Sequence, residues 1–245
     1  MLRRVVAVSL VIASGVAAAA DLTVSAAASL TNAFQQIGTA FEAANPGTKV
    51  QFNFAASGPL LQQIARGAPV DVFASADQET MNQADQQKLV KPATRANFVS
   101  NSLVVVVPAD RPATKSLDDL ARPAVRQVAI GVPAIVPAGR YTKAALEKAG
   151  LWPRIEAKMI GAQTVRHVLD YVARAEVDAG FVYSTDAALM PDKVKIAFTV
   201  PTEQPVLYPI AVVAASSNAA AERFVAYVAS PPAQAVLARY GFGKP

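Results

Sequence analysis

The octapeptide TVSAAASL at residues 23–30 decides the fold that this sequence predicts. Leu22 and Val24 alternate as in a strand, and three alanines then lead through Ser29 into a helical pattern. A junction of this kind directs backbone N–H groups and a hydroxyl towards one point, where the helix dipole adds partial positive charge. The octapeptide therefore predicts an anion site just beyond the end of a strand.

The same kind of junction recurs at three more places, Ser57, Ala138 and Val165. An alternating strand at 49–54 precedes Ser57, and a stiff loop with two prolines precedes the helix at Ala138. Thr164 is a suitable N-cap for the helix that begins at Val165. We expect the four junctions to converge on one ligand.

Strands and helices alternate along almost the whole chain. Further strands are predicted at 70–74, 101–108, 179–183 and 207–213. Ser75 and Gln78 resemble a capping box that opens a helix reaching to about Lys88. The alternation favours an α/β fold with mainly parallel sheets wrapped by helices, in which ligands bind beyond the carboxyl ends of the strands.

The first twenty residues have the features of a secretory signal peptide. Arg3 and Arg4 precede an apolar run at 5–16, and small residues at 18–20 form a cleavage site. The apolar run is shorter than the ~20 residues that a membrane-spanning helix needs, which disfavours an uncleaved anchor. We therefore expect residues 1–20 to be removed and the mature protein to be periplasmic.

Composition excludes several function classes. The chain has 245 residues, which is enough for two medium-sized lobes with their own cores. Loss of the two signal-peptide arginines lowers the formal net charge from +5 to +3, and the basic residues do not cluster, so nucleic acid is not an expected partner. The chain has no cysteine, which excludes thiol and cysteine–zinc chemistry.

An enzyme is not the expected class. A serine nucleophile needs a base within hydrogen-bond reach, yet the sequence has no G-x-S-x-G elbow and one histidine, His167, which we expect on a helix surface. Asp71 is expected to make structural hydrogen bonds, and Asp77 to lie near a helix start. An exported serine hydrolase using Ser29 or Ser57 remains the alternative from another class.

Neutral hydrogen-bond donors favour a binding site instead. Ser29 and Ser57 offer hydroxyls, Ala138 and Val165 offer backbone N–H groups, and Tyr183 offers a phenol. Helix N-termini and hydroxyls alone can hold a dianion. N-capping of a helix is the alternative role for each serine.

Seven short motifs carry a resemblance to a known family. They are AAASLTNA at 26–33, GAPVDVF at 67–73, SADQ at 75–78, NSLVVV at 101–106, VPAG at 136–139, VYSTD at 182–186 and RYGF at 239–242. On these motifs the chain from residue 21 onwards resembles the periplasmic molybdate-binding proteins of ABC-type molybdate importers.

The resemblance implies a type II periplasmic-binding-protein fold with two lobes that close over one tetrahedral oxyanion. The first lobe would comprise 21–102 and 208–245 and the second 103–207, with the runs at 101–108 and 205–213 as crossovers. The implied ligand contacts are Ser29 and Ser57 from the first lobe and Ala138, Val165 and Tyr183 from the second. Ala56 and Gly58 flank Ser57 where some relatives carry adjacent serines, which leaves fine affinity open.

The resemblance also implies a function. The protein would be a monomeric, non-enzymatic receptor that captures molybdate, or tungstate, and delivers it to the membrane permease of an ABC importer. It would need no cofactor, because the metal is held through its oxygens without direct protein ligands. A receptor for sulfate, phosphate or another tetrahedral oxyanion, and a sensor domain that signals without transport, remain alternatives.

Overall fold

The computed structural model describes residues 20–112 and 114–245. The predicted signal peptide lies, up to residue 19, outside the described residues. Within the described part of the chain, none of the helices combines the length and the apolar character that crossing a membrane requires.

Strands and helices alternate as predicted. The strands are β1 (Ala20–Ala27), β2 (Thr48–Ala55), β3 (Val72–Ala74), β4 (Ala96–Asn101), β5 (Leu103–Pro108), β6 (Val128–Gly131), β7 (Met159–Ala162), β8 (Ala179–Tyr183), β9 (Val194–Thr199) and β10 (Val206–Val212). The α-helices are α1 (Thr31–Ala44), α2 (Ser57–Ala65), α3 (Gln78–Gln86), α4 (Leu117–Ala121), α5 (Pro137–Lys148), α6 (Trp152–Glu156), α7 (Val165–Ala173), α8 (Ser184–Ala187), α9 (Ala219–Val228) and α10 (Pro231–Arg239). Short 3₁₀ turns lie at Ala28–Leu30 and Pro92–Thr94.

The strands form two five-stranded sheets of the same design, ordered β2-β1-β3-β10-β4 and β7-β6-β8-β5-β9. In each sheet the first three strands pair in parallel, and the fourth strand is antiparallel to both of its neighbours. Four of the five strands in each sheet therefore point the same way, which confirms the predicted α/β class. We call the first sheet and its helices the first lobe, and the second sheet and its helices the second lobe.

The chain passes between the two sheets at Ser102 and again in the segment 200–205. The prediction of one strand at 101–108 is wrong, because β4 ends at Asn101 in one sheet and β5 begins at Leu103 in the other. The Asn101 side-chain oxygen accepts from the Ser102 N–H at 2.9 Å, so this N–H group does not pair with a neighbouring strand in either sheet. On the return, Val206 already pairs with Asn101 in the first sheet.

The apolar faces predicted from periodicity form the core. Phe34, Ile37 and Phe41 on α1 are fully buried, and the Phe34 ring packs edge-on against Phe224 on α9. All six residues of β5 are buried, which fits a strand covered by helices on both faces.

The capping box predicted at Ser75 and Gln78 is wrong. Asp77 caps α3 instead, because its carboxylate accepts from the Thr80 N–H at 3.1 Å. The Ser75 hydroxyl donates to the same carboxylate at 3.1 Å. A charged oxygen is the stronger acceptor for a first-turn N–H group, so the serine supports the cap without forming it.

Gly139 generates a prediction about the fold, because it brings the start of α5 against the end of β6. A Cβ atom at Gly139 would lie 1.9 Å from the Gly131 carbonyl oxygen, where only backbone could move. We expect Gly139→Ala to lower the free energy of unfolding by roughly 1–3 kcal/mol, measured by urea denaturation.

The matched control is Gly161→Ala. Its added Cβ would meet the Val132 Cγ2 atom at 3.2 Å, and a side-chain methyl can give way. We expect a change within about 0.5 kcal/mol for this variant. Equal effects of the two substitutions would contradict the close approach at Gly139.

Candidate functional site

A small cavity lies between the two lobes, where the carboxyl ends of parallel strands from both sheets meet. It is lined by Ala27, Ala28, Ser29, Ala56, Ser57, Ala76, Val136, Pro137, Ala138, Val165 and Tyr183. The structure thus brings together all five residues singled out from the sequence. That these residues bind a ligand stays a prediction.

Helix N-termini from both lobes meet at this cavity. Ser57 begins α2 in the first lobe, while Ala138 and Val165 lie in the first turns of α5 and α7 in the second lobe. N–H groups in a first turn have no carbonyl partner within their helix, and the helix dipole makes this end positive. Ser29 lies in the 3₁₀ turn that follows β1.

The two serine hydroxyls do not cap helices. Ala56 is the N-cap of α2 and Ala27 that of the 3₁₀ turn, and neither cap makes a side-chain bond. The Ser57 Oγ atom accepts from the Ala76 N–H at 3.0 Å. The capping role considered for each serine is therefore not realised.

Ser29 has a partner that the sequence did not indicate. Its Oγ atom lies 3.0 Å from the hydroxyl oxygen of Tyr208 on β10. Tyr208 is fully buried and also accepts from the Asn101 side-chain amide at 3.2 Å. A tyrosine inside an apolar strand gives no local sign of this contact, because Ser29 and Tyr208 are 179 positions apart.

Tyr183 closes the cavity from the second lobe. It ends β8, is fully buried, and its hydroxyl donates to the carbonyl oxygen of Ala76 in the first lobe at 3.4 Å. Burial raises the pKa of the Tyr183 phenol well above its ordinary value, and burial does the same to the pKa of Tyr208. Both phenols are therefore protonated donors at neutral pH.

Arg140 crosses between the lobes on one side of the cavity. It lies two residues after Ala138 on α5, and its Nε and Nη2 atoms donate to the Asp77 carboxylate at 2.8 and 2.6 Å. Nη2 also donates to the Thr80 hydroxyl at 2.6 Å. The guanidinium thus ties the start of α5 to the start of α3.

Arg166 makes the corresponding connection on another side. It follows Val165 on α7, and it donates to the Ser29 carbonyl at 3.1 Å and to the Asn32 side-chain oxygen at 2.9 Å. Its Nε atom pairs with Asp186, whose side chain is fully buried. Burial raises the pKa of Asp186, and the charge of Arg166 opposes this shift. Arg166 directly follows Val165 and Arg140 lies two positions after Ala138, and this nearness to predicted donor residues is the one signal that the sequence offers for them.

Gly58 brings the two backbones into contact at the cavity. Its N–H donates across the cleft to the Ile135 carbonyl oxygen at 3.1 Å. A Cβ atom at Gly58 would lie 2.8 Å from that oxygen. Glycine beside Ser57 therefore permits the close approach of the loop before α5.

The residues considered for catalysis have other roles. His167 is exposed on α7, as predicted, and the partners of the two serines are an amide and a phenol, neither of which is a base. Asp71 makes structural hydrogen bonds to the Thr23 N–H and the Ser216 hydroxyl, as expected. Within residues 20–112 and 114–245, no three His, Cys, Asp or Glu side chains group as a metal site.

Comparisons with known proteins place this arrangement in a family. A family model described as bacterial extracellular solute-binding protein matches residues 22–243. The molybdate-binding protein ModA of Escherichia coli is 41% identical over 228 residues, which cover 90% of this chain and 88% of that protein. ModA of Haemophilus influenzae is 37% identical over 232 residues, covering 92% and 91%.

A solved structure agrees with these relatives. The periplasmic molybdate-binding protein of Azotobacter vinelandii superposes with a TM-score of 0.78 at 27% identity, covering 91% of this chain and 99% of that chain. The resemblance drawn from the seven motifs and the predicted two-lobed fold are thereby confirmed. This chain belongs to the family of bacterial extracellular solute-binding proteins.

Proposed function

We propose that this protein is a periplasmic receptor that captures molybdate in the cavity between its lobes and delivers it to the membrane permease of an ABC importer. The observation that carries the proposal is the convergence of helix N-termini and buried hydroxyls from both lobes on one small cavity. The relatives that cover most of the chain are named molybdate-binding proteins, which supports the choice of anion.

The donor set favours an anion over a neutral or cationic ligand. Ser57 accepts from the Ala76 N–H, so its own proton is free for the cavity. The first-turn N–H groups at Ala138 and Val165 add donors of the same polarity. A buried dianion is tolerated only when its oxygens are hydrogen-bonded, and charge-assisted hydrogen bonds to N–H and O–H donors are strong.

The proposed ligand contacts are those expected from the sequence. Ser29 and Ser57 donate from the first lobe, and Ala138, Val165 and Tyr183 donate from the second. To do so, the Tyr183 hydroxyl exchanges its hydrogen bond to the Ala76 carbonyl oxygen for one to the anion. No cofactor takes part, and the metal is held only through its oxygens. Tungstate has the same charge and tetrahedral shape and is proposed to bind as well, whereas discrimination against sulfate depends on the fit of a rigid donor ring to the larger ion.

Closure of the lobes completes the proposed mechanism. The lobe boundaries expected from the sequence, 21–102 and 208–245 for the first lobe and 103–207 for the second, agree with the two sheets except that Val206 and Leu207 pair in the first sheet. We propose hinge motion at Ser102 and in the segment 200–205, where the chain passes between the sheets. Closure excludes water from the cavity and brings both sets of donors to the anion. The receptor then acts as a monomer, without enzymatic activity or nucleic acid, after export by its signal peptide.

The serine hydroxyls provide the first test of this function. We expect Ser29→Ala and Ser57→Ala each to weaken molybdate binding by about 1–3 kcal/mol, because each leaves a charged acceptor without its donor. Isothermal titration calorimetry measures the affinities, with excess sulfate as competitor. Ser217→Ala, at an exposed serine away from the cavity, is the control and should bind like wild type.

Two results would change the assignment. If the double variant Ser29→Ala/Ser57→Ala keeps wild-type affinity, the ligand binds elsewhere. If sulfate displaces molybdate at comparable concentration, the receptor serves a broader class of tetrahedral oxyanions.

Gly58 provides a separate test of closure. We expect Gly58→Ala to reduce molybdate affinity about tenfold, because the added methyl group presses on the Ile135 carbonyl and holds the lobes apart. Unfolding free energy should change much less, and small-angle scattering with molybdate should show a larger radius of gyration than wild type. Gly161→Ala is the control, and unchanged affinity in Gly58→Ala would refute tight closure at this point.

A further inference from the structure

A chain of hydrogen bonds, partly buried at Asn101 and buried at Tyr208, stands behind Ser29 and has no role in the function proposed so far. It runs from the Asn101 side-chain amide to the Tyr208 hydroxyl at 3.2 Å and from there to the Ser29 Oγ atom at 3.0 Å. We propose that Asn101 and Tyr208 are positioning residues that turn the Ser29 proton into the cavity, an inference that rests on the proposed oxyanion function.

The direction of donation along these hydrogen bonds is fixed first at Asn101. Its Oδ1 atom accepts from the backbone N–H of Ser102 at 2.9 Å, and a backbone N–H can only donate. The other polar atom of this side-chain amide must then be Nδ2, which can only donate. It donates to the Tyr208 hydroxyl and, at 2.9 Å, to the Thr185 hydroxyl.

The same direction of donation continues at Tyr208. Its oxygen already accepts from Asn101, and its side chain is fully buried, so its own proton needs an acceptor within the protein. Ser29 Oγ is the acceptor at hydrogen-bond distance among the described residues. The opposite direction would leave a buried phenol proton without a partner, which is unfavourable.

Aromatic packing prevents Tyr208 from turning away. Its ring makes edge contacts with Phe98, Tyr183 and Phe242, with centroid separations of 5.6–6.4 Å. The hydroxyl is therefore held in place by the ring as well as by its hydrogen bonds.

The consequence lies at Ser29. Because its oxygen accepts from Tyr208, its single proton is left to donate, and the side chain lines the cavity. Ser57 has the same polarity, set by the Ala76 N–H. Two serines that could each accept or donate thus become donors only. Tyr208 and Asn101 therefore determine specificity, because a site whose serines can only donate selects an oxyanion that carries no proton of its own.

The test compares two anions that differ by one proton. Selenate and hydrogen arsenate are tetrahedral dianions of similar size at about pH 8.5, and the second retains a proton, as phosphate-type oxyanions do. Competition calorimetry against molybdate gives the affinity of wild type and variants for both. We expect wild type to prefer selenate strongly.

Tyr208→Phe keeps the ring and removes the donor to Ser29. We expect molybdate affinity to fall roughly tenfold. The preference for selenate over hydrogen arsenate should shrink by a similar factor, because the Ser29 oxygen can then accept a hydrogen bond from the protonated oxygen of hydrogen arsenate. Asn101→Asp replaces the Nδ2 donor by an acceptor, so Tyr208 donates to it and the Ser29 proton turns away from the cavity. The negative charge that Asn101→Asp adds repels both dianions alike, so the decisive measurement is the ratio of selenate affinity to hydrogen arsenate affinity.

The control is Tyr227→Phe, which removes a phenol on α9 and should alter neither affinity nor ratio. Urea unfolding checks that each variant is folded. If wild type binds molybdate but does not prefer selenate to hydrogen arsenate, or if folded Tyr208→Phe and Asn101→Asp both keep the wild-type ratio, the inference is wrong while the proposed function stands. If wild type binds none of the three anions, the proposed function is wrong and the inference falls with it.

Discussion

An anion can be buried without a counter-ion only if hydrogen-bond donors surround it, and the proposed anion site depends on this constraint. Helix N-termini supply such donors where helices follow parallel strands. Each sheet places its first three strands side by side in parallel, so several N-termini from each lobe lie at one edge. Two similar sheets facing each other across the cleft then provide donors on opposite sides.

The two arginines near the cavity have a role other than neutralising a ligand. Arg140 is paired with Asp77 and Arg166 with Asp186, so each positive charge is already compensated. Removing one member of such a pair would leave an unpaired buried charge, whereas the intact pair adds little net stability. Their geometric effect is clearer, because each joins a first turn of the second lobe to the first lobe. The arginines therefore affect how the two lobes contact each other beside the cavity.

The fold and the lining of the cavity could be predicted from the sequence because their signals are local. Strand periodicity followed by a small residue and a helix marks Ser29 and Ser57, and a capping residue marks Val165. Tyr208, Asn101, Arg140 and Arg166 were missed because each makes a contact at the site with a residue 60 or more positions away in the chain. The strand pattern at 101–108 did not show the break at Ser102, since an apolar run does not show which sheet each residue joins, and the lobe boundary between 102 and 103 came only from the family resemblance.

The distribution of the polarising contacts between the lobes suggests an order of events. Ser29, Tyr208 and Asn101 belong to the first lobe, and so do Ser57 and its partner Ala76. In the proposed mechanism the hydroxyl protons would be oriented before the lobes meet, and the N–H groups of α5 and α7 and the Tyr183 phenol would be added on closure. Donors that are already oriented need no ordering when the anion binds, which favours affinity. Under the proposed function, the first lobe would therefore offer oriented hydroxyls to the anion before the second lobe adds its donors.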